Sequence, residues 1–141
     1  MRGKMRCDCG MRSFGFESDS VVQEFGFDDD VAEDIRAAIE RETGEELADE
    51  DYEYVADGAI AWWRKEDGDA DDLADLLLDM KANLADEAAV CWLFVPGPND
   101  SGHVPADVIE EAAVTAGLQA TSARGEAGWS GVRLIPQNER R

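Results

Sequence analysis

Val21-Val22-Gln23-Glu24-Phe25-Gly26-Phe27-Asp28-Asp29-Asp30 is a short apolar run ending in three aspartates, and Val31, Ile35, Ala38 and Ile39 then recur at helical spacing up to Gly44. An apolar run followed by a stripe of that period reads as a strand and then a helix. One of the three aspartates is placed to cap the helix N-terminus and Gly44 to end it. The same turn bears on function. A glycine-rich turn after a first strand brings bare backbone N–H groups to an anionic ligand, whereas Asp28, Asp29 and Asp30 repel one.

The alternation repeats downstream. Ala59-Ile60-Ala61-Trp62-Trp63 reads as a second strand, after an ambiguous stretch from Tyr52 to Gly58. Leu73, Leu76, Leu77, Met80 and Leu84 make one helical stripe between Asp69 and Leu84, with acids in the first turn where the helix dipole favours them. Ala88 to Val95 is almost continuously apolar, as a central strand buried on both faces is, and Pro96-Gly97-Pro98 stops it. Pro105 opens a third helix, with Val108, Ile109, Ala112, Ala113 and Ala116 inward and Gly117 at its end. Two strands follow near 118–123 and 131–135, joined by a turn that contains Gly125 and Gly128. This order predicts one α/β domain of Rossmann type over residues 21–136, with a mostly parallel five-stranded sheet, helices on both faces and a C-terminal antiparallel hairpin. Residues 1–20 read as a poorly ordered leader and 137–141 as a tail.

The 141 residues carry 33 acidic and 13 basic side chains, a formal charge of −20. That balance repels DNA, RNA and anionic lipid at long range and leaves basic proteins and cations as partners. No apolar run has the length of a membrane span, so the expected location is the cytoplasm. Between Asp28 and Glu87 stand 23 acids against five bases, interleaved with Ile35, Ile39, Leu47, Ile60, Trp62, Leu73 and Leu77. This is an acidic face on a folded body rather than an acidic tail. Asp28, Asp29, Asp30, Asp49, Glu50 and Asp51 are its densest points and the candidate interaction residues.

Three cysteines, Cys7, Cys9 and Cys91, do not form a disulfide framework. Cys91 sits in the central apolar run as a small hydrophobe, and Cys7-Asp8-Cys9 lacks the further ligands a zinc site needs. Asp67-Gly68-Asp69-Ala70-Asp71 has the alternate acids of a calcium loop, but Asp72 stands where the turn glycine belongs and Leu78 where the bidentate glutamate belongs. It reads as a capped helix start, and no metal is expected. His103, the only histidine, lies in the loop 96–105 at the carboxyl end of the central strand, where open α/β sheets hold ligands. With Trp129 and Ser130 in the glycine-flanked turn 128–131 it makes up the candidate ligand site. Ser130 precedes a strand rather than a helix and so is no nucleophile elbow.

The strand and helix order resembles a methyltransferase-like Rossmann fold without its second and third strands, which implies the spatial order first, second, third, fifth, fourth, with the last strand antiparallel to its neighbours. V-V-Q-E-F-G at Val21–Gly26, W-W-R at Trp62–Arg64, G-H-V at Gly102–Val104, A-G-L-Q-A-T-S at Ala116–Ser122 and W-S-G-V-R-L at Trp129–Leu134 together resemble an actinobacterial family catalogued as domain of unknown function 3052. In the methyltransferase comparison, Glu24 and Gly26 match the start of the acid-x-Gly-x-Gly-x-Gly binding strand, while Asp28 and Asp30 replace the later glycines. The resemblance therefore implies a degenerate scaffold with no cofactor. The expected function is a non-catalytic interaction or regulatory module for a basic protein partner. The alternative is a small-molecule enzyme or sensor using the loop 96–105 and the turn 128–131.

Overall fold

A computed structural model describes residues 13–85 and 89–136. The elements are β1 (Val22–Phe25), α1 (Glu33–Thr43), β2 (Gly58–Trp62), α2 (Ala70–Ala82), β3 (Val90–Pro96), α3 (Ala106–Thr115), β4 (Leu118–Glu126) and β5 (Trp129–Pro136). They form one sheet in the order β1-β2-β3-β5-β4, the order the fold resemblance implied. β1, β2 and β3 are parallel, and β5 is antiparallel to both β3 and β4. The sheet is therefore mixed rather than mostly parallel. The cause is the tight turn at Ala127 (φ +52°) and Gly128 (φ +85°), which reverses the chain within two residues and inserts β5 against the direction of its neighbours. Gly125 lies within β4 and Trp129 and Ser130 within β5, so these belong to the ladder and not to an open turn.

Both faces of the sheet are covered. Ala59 and Ala61 of β2 and Cys91, Leu93 and Val95 of β3 face α2 and α3, which bring Leu73, Leu77, Met80, Ile109 and Ala112. The alternate residues Ile60, Trp62, Trp92 and Phe94 face α1, with its Ile35, Ala38 and Ile39. Period-two alternation of a strand apolar on both sides produces these two cores.

Residues 13–20 are not a poorly ordered leader. Phe14 and Phe16 are buried on the α1 side of the sheet, and Phe14 meets Trp92 and Phe94 edge-on at centroid distances of 5.4 and 5.8 Å. The Glu42 carboxylate accepts the Phe14 and Phe16 N–H groups at 2.7 and 3.1 Å, and Trp92 Nε1 donates to the Phe14 carbonyl at 2.8 Å. This strap packs on the large rings of β3. Residues 1–12, with Cys7 and Cys9, and the tail 137–141 lie outside the described residues.

The path from α1 to β2 carries the remnant of a strand. Ala48 makes a single parallel bridge to Gln23 on the outer edge of β1, through Glu24 N to Ala48 O at 2.7 Å and Ala48 N to Val22 O at 2.9 Å. The chain then crosses on the α2 side, anchored by Gln23, whose Nε2 donates to the carbonyls of Asp49, Glu50 and Tyr52. Visiting the far edge first keeps the connection to β2 right-handed. α1 starts later than the aspartates allow for: its N-cap is Ala32, with no side-chain cap. Asp28 instead accepts the N–H of Asp29, and Asp30 is drawn to Arg64. Gly44 ends α1 at φ +78°. Asp69 and Asp72 cap α2 reciprocally, each accepting the other's N–H at 3.1 Å, which accounts for the alternate acids at its start.

Candidate functional site

The carboxyl ends of β1 and β2, where open α/β sheets bind ligands, are filled from within by Arg64. Its Nη1 donates to the Gly26 carbonyl at 2.8 Å and the Trp62 carbonyl at 3.4 Å. Its Nε donates to Asp30 Oδ2 at 3.1 Å, and Nη2 pairs with Asp30 Oδ1. The guanidinium lies 5.5 Å from the Trp129 ring centroid, and Lys65 N donates to the Gly102 carbonyl at 2.9 Å, which fastens the loop after β3 to the same place. Gly26 is required here. Its φ is +74°, and a Cβ would stand 2.3 Å from the Trp62 carbonyl oxygen, so no other residue lets the turn close on β2.

The electrostatics agree with a closed site. The hydrogen bond from Arg64 holds the Asp30 carboxyl below its ordinary value despite some desolvation. Burial works against the charge on Arg64, but the hydrogen bond and charge of Asp30, with the charges of Asp67 and Asp28, raise its pKa all the same. Asp30 thus neutralises a cation that is itself almost wholly buried, and a fork of donors meeting a carboxylate is the geometry that does so most strongly.

Glu24, the first residue of the methyltransferase-like match, is buried and faces the α1 core. Arg36 donates to it from Nε at 2.7 Å and Nη2 at 2.9 Å, and Trp62 Nε1 donates at 2.8 Å. The hydrogen bond to Glu24, chiefly, raises the Arg36 pKa against the cost of burial. This carboxylate joins α1 to the sheet. Its oxygens are committed to Arg36 and Trp62.

The six acidic candidates are all exposed. The structure brings their two runs together, because Glu50 Oε1 accepts the Gly26 N–H at 3.1 Å and so ties the 49–51 run to the end of β1 that leads into Asp28. The ligand candidates fare differently. His103 turns its Nδ1 to the Pro96 carbonyl at 2.7 Å, and Ser130 sits in the β5 ladder opposite Val95 and Gly125. Trp129, read from its flanking glycines as a turn residue, is buried edge-on against Trp62 at 4.9 Å. Residues 97–100 and 125–129 do come together, around a cleft of about 450 Å³ that Trp129 lines and that His103 and Ser130 do not. Gly97 N donates to the Gly128 carbonyl at 3.0 Å across its base. Cys91 is buried, which pushes its thiol pKa up to about 11. Among the described residues no cluster of His, Cys, Asp and Glu could hold a metal ion, and no helix is long and apolar enough to cross a membrane.

Arg64, Asp30, Glu24 and Arg36 are the residues that organise this end of the sheet. Two signals hinted at Arg64: it is one of five bases among 23 acids between Asp28 and Glu87, and it ends the W-W-R motif at Trp62–Arg64.

Fold and site define a Rossmann-type α/β domain similar in shape to solved methyltransferases. Mitomycin 7-O-methyltransferase MmcR matches with a TM-score of 0.61 at 10% identity, over 92% of this chain and 52% of that one. The O-methyltransferase NcsB1 from neocarzinostatin biosynthesis, solved with S-adenosylmethionine, matches with a TM-score of 0.61 at 11% identity, over 84% and 49%. The chain thus spans about half the length of these two enzymes, and at such identities the likeness is one of fold alone. The chain belongs to the family described as "Protein of unknown function (DUF3052)", whose model matches residues 11–138. It is 43% identical over 129 residues to the uncharacterized proteins Rv2239c of Mycobacterium tuberculosis and Mb2263c of Mycobacterium bovis, covering 92% of this chain and 79% of each relative. The family match begins ten residues before Val21, in keeping with the packed strap.

Proposed function

We propose that this chain is a non-catalytic interaction or regulatory module on a degenerate methyltransferase-like scaffold, presenting Asp28, Asp29, Asp30, Asp49, Glu50 and Asp51 to a basic surface of a protein partner. The observation that carries the reading is the closure of the β1–β2 end by Arg64 and Asp30. S-adenosylmethionine, the ligand of NcsB1, would meet at that end a turn already bonded to Arg64 and lined by carboxylates where its own carboxylate needs donors. An exposed acidic face is free to steer a basic partner before contact.

Two measurements test this. Calorimetric titration with S-adenosylmethionine at physiological salt gives no saturable heat; micromolar affinity overturns the degenerate-scaffold reading. Partners captured at low salt are released at high salt, and replacing Asp49, Glu50 and Asp51 by Asn, Gln and Asn slows their association while His103→Ala does not. Salt-independent capture refutes the acidic-face reading. A second reading, a small-molecule site, is favoured by the cleft between residues 97–100 and 125–129. It predicts that a bound metabolite perturbs Trp129 fluorescence.

A further inference from the structure

Among the described residues the sheet ends at β1, apart from the single bridge at Ala48. On the α2 side of this edge a groove of about 250 Å³ opens, with Phe25 and Gln23 of β1, Leu76, Asp79 and Ala82 of α2, and Glu50 of the crossing segment in its lining. Its walls are partly apolar: Phe25, Leu76 and Ala82 supply hydrocarbon. Among the described residues the lining holds two carboxylates and no cation. Gln23 is fully engaged, its Nε2 with three backbone carbonyls and its Oε1 with Asn83 Nδ2 at 3.1 Å. The one base of α2, Lys81, reaches the other way and donates its Nζ to the Ala116 carbonyl at 2.8 Å, beyond the end of α3. Glu50 uses one oxygen for the Gly26 N–H, and the other has no hydrogen-bond partner among the described residues.

A hydrocarbon stem with a cationic head fits this combination, since such side chains lay the stem on apolar surface and bring the head to carboxylates. We propose that the β1–α2 groove receives a lysine or arginine side chain from a basic segment of a protein partner. The proposal rests on the acidic-face reading and names the point on that face where the partner's cation seats. Apolar contact with Phe25 and Leu76 gives the site a preference that a bare carboxylate surface lacks. A compact inorganic cation would forgo it.

The test is an amide-resolved NMR titration of the full chain with a hexalysine peptide at 150 mM salt, a concentration that screens diffuse attraction beyond about 8 Å. Saturable shifts are expected at Phe25, Glu50, Leu76 and Asp79. The pair Glu50→Gln with Asp79→Asn is expected to weaken the peptide about tenfold, and the equal charge change Asp28→Asn with Asp29→Asn less than about twofold. Glutamine keeps the oxygen that accepts the Gly26 N–H, and Asp79→Asn alone, on the exposed side of α2, preserves the test if the pair is unstable. Equal weakening by both pairs overturns the groove and leaves the acidic face standing. Absence of any shift, even at 20 mM salt, overturns both. A third variant, Leu76→Arg, places a cation of the chain's own in the groove and is expected to abolish the shifts there; unchanged shifts count against the groove.

Discussion

Arg64→Ala should be among the most damaging single changes in this chain that leave both hydrophobic cores intact. The substitution removes the donors that meet the Gly26 and Trp62 carbonyls and the Asp30 carboxylate. A buried acceptor left without its donor costs about 1–3 kcal/mol, and loss of the packed stem beside Trp129 adds to this. Asp30 adds little, because its carboxylate is more than half exposed and water takes over. The total is about 2–4 kcal/mol, which lowers Tm by about 6–12 °C in a domain of this size. Urea unfolding followed by tryptophan fluorescence measures it, with m unchanged if the unfolded state is unaffected. Asp30→Asn keeps an acceptor oxygen but leaves the buried Arg64 cation without its forked carboxylate, and should cost about 1–2 kcal/mol. The pH dependence has a definite sign. Asp30 has its pKa lowered from 3.8 in the folded state, chiefly by the Arg64 hydrogen bond. Its part of the stability is therefore present above the unfolded value and lost as pH falls through the lower folded one, so the gap between Asp30→Asn and the parent narrows only below about pH 4. An Arg64→Ala chain within about 0.5 kcal/mol of the parent would refute the closure argument.

Glu24→Gln leaves Arg36 facing an amide where it met a carboxylate and should cost about 3 kcal/mol, read as a shift in the urea midpoint; a midpoint unchanged from the parent contradicts the bridging role. Phe14→Ala empties a buried site between Trp92 and Phe94 and should cost about 3–5 kcal/mol, with a chain starting at residue 21 at least as unstable. If that shortened chain melts with the full one, the strap is dispensable. In a Cys7→Ser, Cys9→Ser background, Cys91 should resist iodoacetamide at pH 8 in the folded protein and react in urea, because burial keeps its thiol protonated. Fast labelling without denaturant would show that the helix side of β3 opens readily.

Much of the site was unreadable for one reason: its contacts join residues far apart in sequence. Arg64 meets Asp30 across 34 positions and Trp62 meets Glu24 across 38, and neither pairing leaves a local pattern. Trp129 was misleading in a different way. Glycines on both sides suggested a turn, but the two-residue reversal at Ala127–Gly128 puts it at the start of β5, where its side chain falls on the α1 face against Trp62. The strap did leave a signal. Phe14 and Phe16 alternate as a strand residue pair does, but two residues are too few to outweigh the polar sequence around them.

By itself the sequence determined the succession of strands and helices, the two-sided burial of β2 and β3, the C-terminal end of α1 and the ends of α3, because period, proline and glycine act within a few residues. The fold resemblance added the strand order and the antiparallel last strand, and the acid count alone indicated a strongly negative surface. Only the tertiary structure decided that Ala48 stands in for a missing strand, that Phe14 and Phe16 belong to the core, and that Arg64 fills the carboxyl ends of β1 and β2. Each of these depends on where distant backbone carbonyls, carboxylates and aromatic faces meet in space, and no local propensity encodes that meeting.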